Sequence, residues 1–203
     1  MVDKGAFAKT ISLPLKSFTL IGATTRAGFL SAPLRDRFGI FHHLDFYPPK
    51  DIEVIVKRSA QLLEVPIAGD AADMLACRSR GTPRVVNRLL RRVRDYAQVK
   101  GDGDITVEMA RAALELEGID DRGLDALDRK FLRVIIDNYG GGPVGIEAVA
   151  ATLNEEVDTL EEVVEPYLLK IGFLNRTRKG RKATEHAWGH LGLKRGKSQG
   201  KLF

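Results

Sequence analysis

Apolar positions change their period along this chain. Phe18-Thr19-Leu20-Ile21-Gly22-Ala23 is a continuous β-favouring run, the pattern of a strand buried on both faces. Strands of this kind belong to parallel sheets, whose neighbours 47 residues cannot supply. Residues 1–47 are therefore expected to be part of a larger α/β domain that begins upstream. After Pro48-Pro49 the spacing becomes helical. Ile52, Ile55, Val56, Leu62 and Leu63 share a face of a helix starting near Asp51. A second helix is expected after Asp70 as its cap, ending at Gly81. A third opens with Thr82-Pro83 and runs through Leu89, Leu90 and Val93 to Gly101. A fourth follows Thr106 and ends at Gly118.

Gly118 to Gly123 reads as a short polar linker. Beyond it the pattern predicts a helix over about 124–138, a Gly140-Gly141-Gly142-Pro143 turn, and helices over 146–153 and 159–171. Asp158-Thr159-Leu160-Glu161 has the form of a capping box. A hairpin then pairs Phe173–Thr177 with Arg181–Thr184 across a turn at Gly180. Three helices followed by a basic hairpin describe a winged helix. The Lys/Gly-rich tail is expected to be disordered.

Composition narrows the function classes. Hydrophobic content of 44% suits a globular chain. The formal charge is +5, with Lys and Arg crowded into 78–94 and 170–201. Such patches suit phosphates or a nucleic-acid backbone, or are simply solvated. The single cysteine, Cys77, excludes internal disulfides, fits a reducing cytosol and reads as a small packing residue. No apolar run is long enough for a membrane helix and no signal peptide is evident, so a cytoplasmic protein is expected. His186 and His190, four apart, lack a third ligand, so no metal site is expected; His42-His43 reads as structural.

The motifs carry more. Leu20-Ile21-Gly22-Ala23-Thr24-Thr25-Arg26 ends an apolar run in a polar tip, and Pro33-Leu34-Arg35-Asp36-Arg37-Phe38-Gly39 sets two guanidiniums beside an apolar anchor. Together they resemble the sensor-1 and arginine-finger segments of an AAA+ ATPase, and Gly81-Thr82-Pro83-Arg84 resembles its sensor-2 motif. The wording is similar to one family, RuvB, the motor of Holliday junction branch migration. The resemblance covers residues 8–192. It implies a mixed α/β chain: the C-terminal part of a large AAA+ domain (1–47), an all-α lid (48–118), a winged-helix DNA-binding head (121–192) and a basic tail (193–203).

The resemblance also implies roles. Thr25 would orient the attacking water and Arg37 would act in trans on ATP held by the adjacent subunit. Tyr47 would pack near the adenine, and Arg84 would reach the γ-phosphate from a helix N-terminus, where free N–H groups favour an anion. Arg176 and Arg181 coincide with the family's DNA-contacting arginines. The implied cofactor is ATP with Mg; the implied partners are a RuvA-type junction-binding protein, Holliday junction or duplex DNA, and sister subunits in a hexameric ring, with no membrane. The implied setting is recombination and repair.

The charge pattern supports backbone contact with DNA independently. The helix where bases would be read carries Glu155, Glu156, Asp158, Glu161, Glu162 and Glu165, and repels phosphates. The hairpin beyond it carries Arg176, Arg178, Lys179, Arg181 and Lys182, which suits phosphate contacts of little sequence preference. The departure from the family is large. No G-x-x-x-x-G-K-[ST] loop and no Walker B acid stands in the chain, so Met1 is expected to mark a truncation and the chain alone to be inactive as an ATP-dependent helicase. Two alternatives remain: a stand-alone winged-helix DNA-binding protein, and a non-catalytic ring partner that donates Arg37.

Overall fold

The computed structural model describes residues 14–25 and 27–193. The chain divides into two compact units, Met1–Leu44 and Asp45–Phe203. In the first, the described residues form only a 3₁₀ turn, Ala27–Phe29, and a short helix α1, Ala32–Arg35. The strand expected over Phe18–Ala23 is not formed, and His42-His43 also lies in irregular chain. An extended segment becomes a strand only when a neighbour pairs its N–H and C=O groups. Without one, Phe18 is 67% and Ile21 88% exposed. What order exists is local: the Phe38 ring lies against Gly22, with 3.6 Å to a Cβ position there.

The second unit opens with four helices: α2 (Pro49–Leu62), α3 (Gly69–Arg78), α4 (Pro83–Lys100) and α5 (Val107–Leu116). Ile52, Val56, Leu75, Val86, Leu90, Val93 and Leu114 interdigitate as one core, each burial stabilising by about 1.5–3 kcal/mol. The loop ends are tied by Ala68 N–H donating to Ile105 O at 3.0 Å and Ile105 N–H to Pro66 O at 2.9 Å. Thr106 caps α5, its hydroxyl oxygen accepting from Met109 N–H. Some expectations fail. Leu62, at the last position of α2, faces solvent. Ala68, not Asp70, is the N-cap of α3; Asp70 lies inside the first turn and accepts from Ala71 N–H. Cys77 is exposed rather than packed. Its thiol pKa is raised by partial burial and by the Asp73 carboxylate, which lowers its thiolate fraction and speaks against a catalytic thiolate.

The head follows in the same unit. Helix α6 (Ala126–Arg133) starts at a capping box of Asp125 and Asp128 and widens into a π turn, Val134–Asn138. Helix α7 (Ile146–Leu153) ends at Asn154 in the left-handed region. Helix α8 (Val157–Thr159) passes through a second π turn, Leu160–Val164, into α9 (Glu165–Lys170). The box expected at Asp158–Glu161 is not the start of this helix. Glu156 is the N-cap and makes no side-chain cap bond, while Glu161 turns toward the wing.

Strands β1 (Leu174–Thr177) and β2 (Gly180–Ala183) pair antiparallel with Arg176 opposite Arg181. Val144 adds a bridge to Arg181. A Cβ on Gly180 would collide with the Val144 carbonyl, so this position requires glycine. Helix α10 (Glu185–His190), which the apolar pattern did not announce, follows the hairpin and buries Ala187. Phe131, Leu132, Ile135, Leu160, Leu168 and Leu174 form the head's core. The tail after Leu193 lies outside the described residues.

The segment read as a linker is folded. Ile119 is buried. The Asp120 carboxylate accepts from Arg122 N–H at 2.9 Å and Leu124 N–H at 2.8 Å. His190 Nε2 lies 2.8 Å from the same carboxylate.

Candidate nucleotide-sensing and DNA-contacting sites

In the first unit, Thr25 sits exposed at a bend just before the turn Ala27–Phe29. Arg37 stands in the turn after α1, exposed, its N–H donating to Leu34 O. Phe38, next to Arg37, packs on Gly22, three residues before Thr25. That contact holds the two motif segments together. The α1 start is set by Ser31 at the N-cap with proline in the first turn.

In the second unit, Tyr47 and the Gly81–Arg84 loop are joined. Tyr47 N–H donates to Gly81 O at 2.9 Å. Gly81 has φ +72, and a Cβ there would stand 2.6 Å from Tyr47 O. Left-handed backbone and close approach both demand glycine here. The loop delivers Arg84 to the first turn of α4, exposed. Thr82 is the N-cap but makes no side-chain cap bond. It therefore does not compete with an anion for the helix's leading N–H groups. The Tyr47 ring is half-exposed beside this loop. The lid thus offers a cation, uncapped helix dipoles and an aromatic face; a G-x-x-x-x-G-K-[ST] loop does not occur in the sequence.

The wing differs from the open basic surface that its composition suggests. Arg176 is about half-exposed and pairs with Glu161 at 3.0 Å and Glu165 at 2.9 Å. Arg181 is only 12% exposed. Its Nε donates to Glu165 at 2.6 Å and its Nη2 to Glu161 at 2.5 Å. Burial alone would lower the Arg181 pKa, but the hydrogen bonds and charges of Glu165 and Glu161 outweigh it and raise the pKa. Glu165 itself is 1% exposed. In this conformation Arg181 is a brace between wing and helix rather than a free cation. Arg178, Lys179 and Lys182 are exposed.

Sequence reasoning missed a third cluster. Arg80 reaches Asp125 and Asp128, and Lys170 lies 4.3 Å over the Phe46 ring. The acidic pair had a signal, since Asp-x-x-Asp before an apolar run is a cap pattern. Nothing local pointed to its arginine. No group of three or more His, Cys, Asp or Glu able to hold a metal occurs among the described residues. No helix there is long and apolar enough to cross a membrane.

Comparison with known proteins places this geometry. Residues 47–120 match the RuvB AAA lid domain, residues 121–192 the RuvB C-terminal winged helix domain, and residues 1–44 the Holliday junction DNA helicase RuvB P-loop domain. The Holliday junction branch migration complex subunit RuvB of Kosmotoga olearia is 54% identical over all 203 residues. The corresponding subunit of Thermobifida fusca is 56% identical over 193 residues. The chain spans 59% and 55% of these relatives' lengths. A solved structure, the Thermotoga maritima RuvB Holliday junction branch migration motor, superposes with a TM-score of 0.84 at 54% identity, covering 89% of this chain and 60% of that one. Lid, winged helix and the segment before them are RuvB domains, and over these domains the chain belongs to the RuvB family.

Proposed function

We propose that this chain is the sensing and DNA-holding portion of an ATP-driven branch-migration motor subunit, acting in the cytoplasm in recombination and repair. The observation that carries the proposal is the joining, in one compact unit, of a helix N-terminus bearing Arg84 to a basic wing. Identity of 54% to a branch-migration subunit across the whole chain supports it. In a ring of such subunits, six by family resemblance, Arg37 offsets the charge that builds on the γ-phosphate of ATP bound next door. Thr25 orients the attacking water. Arg84 and the dipole of α4 follow the γ-phosphate, and Tyr47 packs on the adenine. ATP and Mg supply the phosphoryl group and its counter-charge; this chain's residues supply the sensing. A RuvA-type protein would present the junction.

Contact with duplex DNA runs through phosphates. Arg176 is the direct contact of the pair, with Arg178, Lys179 and Lys182 beside it. Arg181 holds the hairpin at the angle that presents them, meeting a phosphate only where Glu161 gives way. Binding of the full chain to two unrelated duplexes and a four-way junction, across a salt series, tests this. Salt-dependent binding of similar strength on both duplexes is expected. Absence of binding at low salt, or preference for one sequence, overturns it.

A further inference from the structure

Lid and head meet at a buried junction that none of these roles uses. Its centre is Arg80, at φ +62, a backbone conformation that few non-glycine residues adopt. The Arg80 Nε donates to Gly123 O at 2.9 Å. Its Nη2 donates to Asp125 at 2.9 Å and also to Asp128. The guanidinium lies 5.2 Å from the centre of the Tyr167 ring. Asp128 is fully buried. Arg78 adds a second pair, to Asp121. Gly123 at φ +74 passes so close that a Cβ would stand 2.6 Å from Arg78 O. From the other side, Lys170 of α9 covers Phe46 and lies 3.0 Å from a Cβ position at Gly81. Head residues therefore hold the loop that begins at Gly81 from two directions.

We infer that Arg80 is a positioning residue, which fixes the winged-helix head to the Gly81-Thr82-Pro83-Arg84 loop so that lid and head move as one body when an anion occupies the start of α4. Its functional meaning rests on the role proposed above for Arg84; the mechanical claim does not. The chemistry favours a rigid joint. A planar fork with fixed donor directions meets three acceptors and a ring face at once. The same two carboxylates also start α6, as N-cap and N3. Displacing Arg80 would leave Asp128 buried without its cation and would loosen the first helix of the head.

The chain carries the probes for a test. Trp188 is its sole tryptophan and lies in the head; Cys77 is its sole cysteine and is exposed in the lid. Energy transfer from Trp188 to an acceptor dye on Cys77, read as a distance distribution, reports the joint in the full chain. A single narrow distribution is expected for the parent. Arg80→Ala should broaden it at least twofold. Arg80→Lys should recover the width only in part, since an ammonium cannot fork. Helical circular dichroism confirms that each variant folds; if Arg80→Ala does not, Asp125→Asn removes one charged acceptor while keeping a cap oxygen, and should broaden the distribution too. An unchanged width in a folded variant, even with stability lost, overturns the inference. A failure of Arg84→Ala to alter nucleotide response in an intact subunit would overturn the sensor reading and leave the width result standing.

Discussion

Residues 14–44 and residues 45–193 are held on opposite physical terms. In the first stretch the apolar side chains Leu15, Phe18, Leu20, Ile21, Phe29, Ile40, Phe41 and Leu44 are all largely exposed. Thr25 and Arg37 are held by turns and one ring contact. In the second, two cores close and an ion-paired junction joins them. A sheet segment depends on strands elsewhere for both its hydrogen bonds and its burial, whereas helices satisfy their own backbones and need only a partner face.

The widest separation between the two regions should come from activity. In a subunit that carries this chain behind a phosphate-binding loop, Arg37→Ala should lower ATP turnover by about 10³–10⁵-fold while nucleotide binding persists. In mixed rings the variant should depress turnover more than its share of subunits. A simple proportional average in a mixing series would remove the trans role.

Stability gives the direct contrast. Phe131→Ala in the head core should cost about 3–5 kcal/mol, and Leu90→Ala in the lid core about 2–5 kcal/mol. Ile21→Ala should change stability by less than about 0.5 kcal/mol, because its side chain is already in water. Urea unfolding of the three variants checks this, and comparable losses at Ile21 would erase the distinction drawn here.

Acidity sharpens it further. Burial raises the Asp128 pKa to about 6, against the lowering effect of Arg80. Between about pH 4 and 6 the folded chain therefore holds a proton there that the unfolded chain has released. The stabilising contribution of this group is complete below the unfolded pKa and is lost as pH rises through 6, up to about 3 kcal/mol in all. Unfolding free energies of parent and Asp128→Asn at pH 4.5 and 7 isolate it. The parent should lose ground to the variant at the higher pH, and equal differences at both would contradict the shift.

The smallest effect lies on the wing. Arg176→Ala should lower the slope of log affinity against log salt by up to about 0.9, equally on unrelated duplexes. An unchanged slope in a salt titration would take Arg176 off the phosphates.

What the sequence disclosed follows the range of the forces involved. Helix α4 was bounded correctly because Thr82-Pro83 and Gly101 act on adjacent backbone. The hairpin was legible as two short basic strands, but its turn lies at Arg178-Lys179; Gly180, read as the turn, opens β2 opposite Thr177. The strand at Phe18–Ala23 was read from local preference, but a sheet is a contact between segments, and no partner strand occurs among the described residues. Arg80 lies 45 and 48 residues from Asp125 and Asp128, a spacing that no periodic pattern encodes. The charge of the wing was visible as composition; its neutralisation by Glu161 and Glu165 was not, because helix and hairpin meet only in the fold. Helix α10 has six residues, one a glycine, too few for a period to emerge.

The paired state of the wing bears on how firmly it can hold. A phosphate that reaches Arg176 does not find an idle cation; it displaces a carboxylate already bound to it. In that exchange one anion would replace another, which would narrow the gap between attached and detached forms, and a departing phosphate would be replaced by a tethered carboxylate. On the function proposed above, such a hand would close and open readily, letting go of one stretch of duplex in order to take the next.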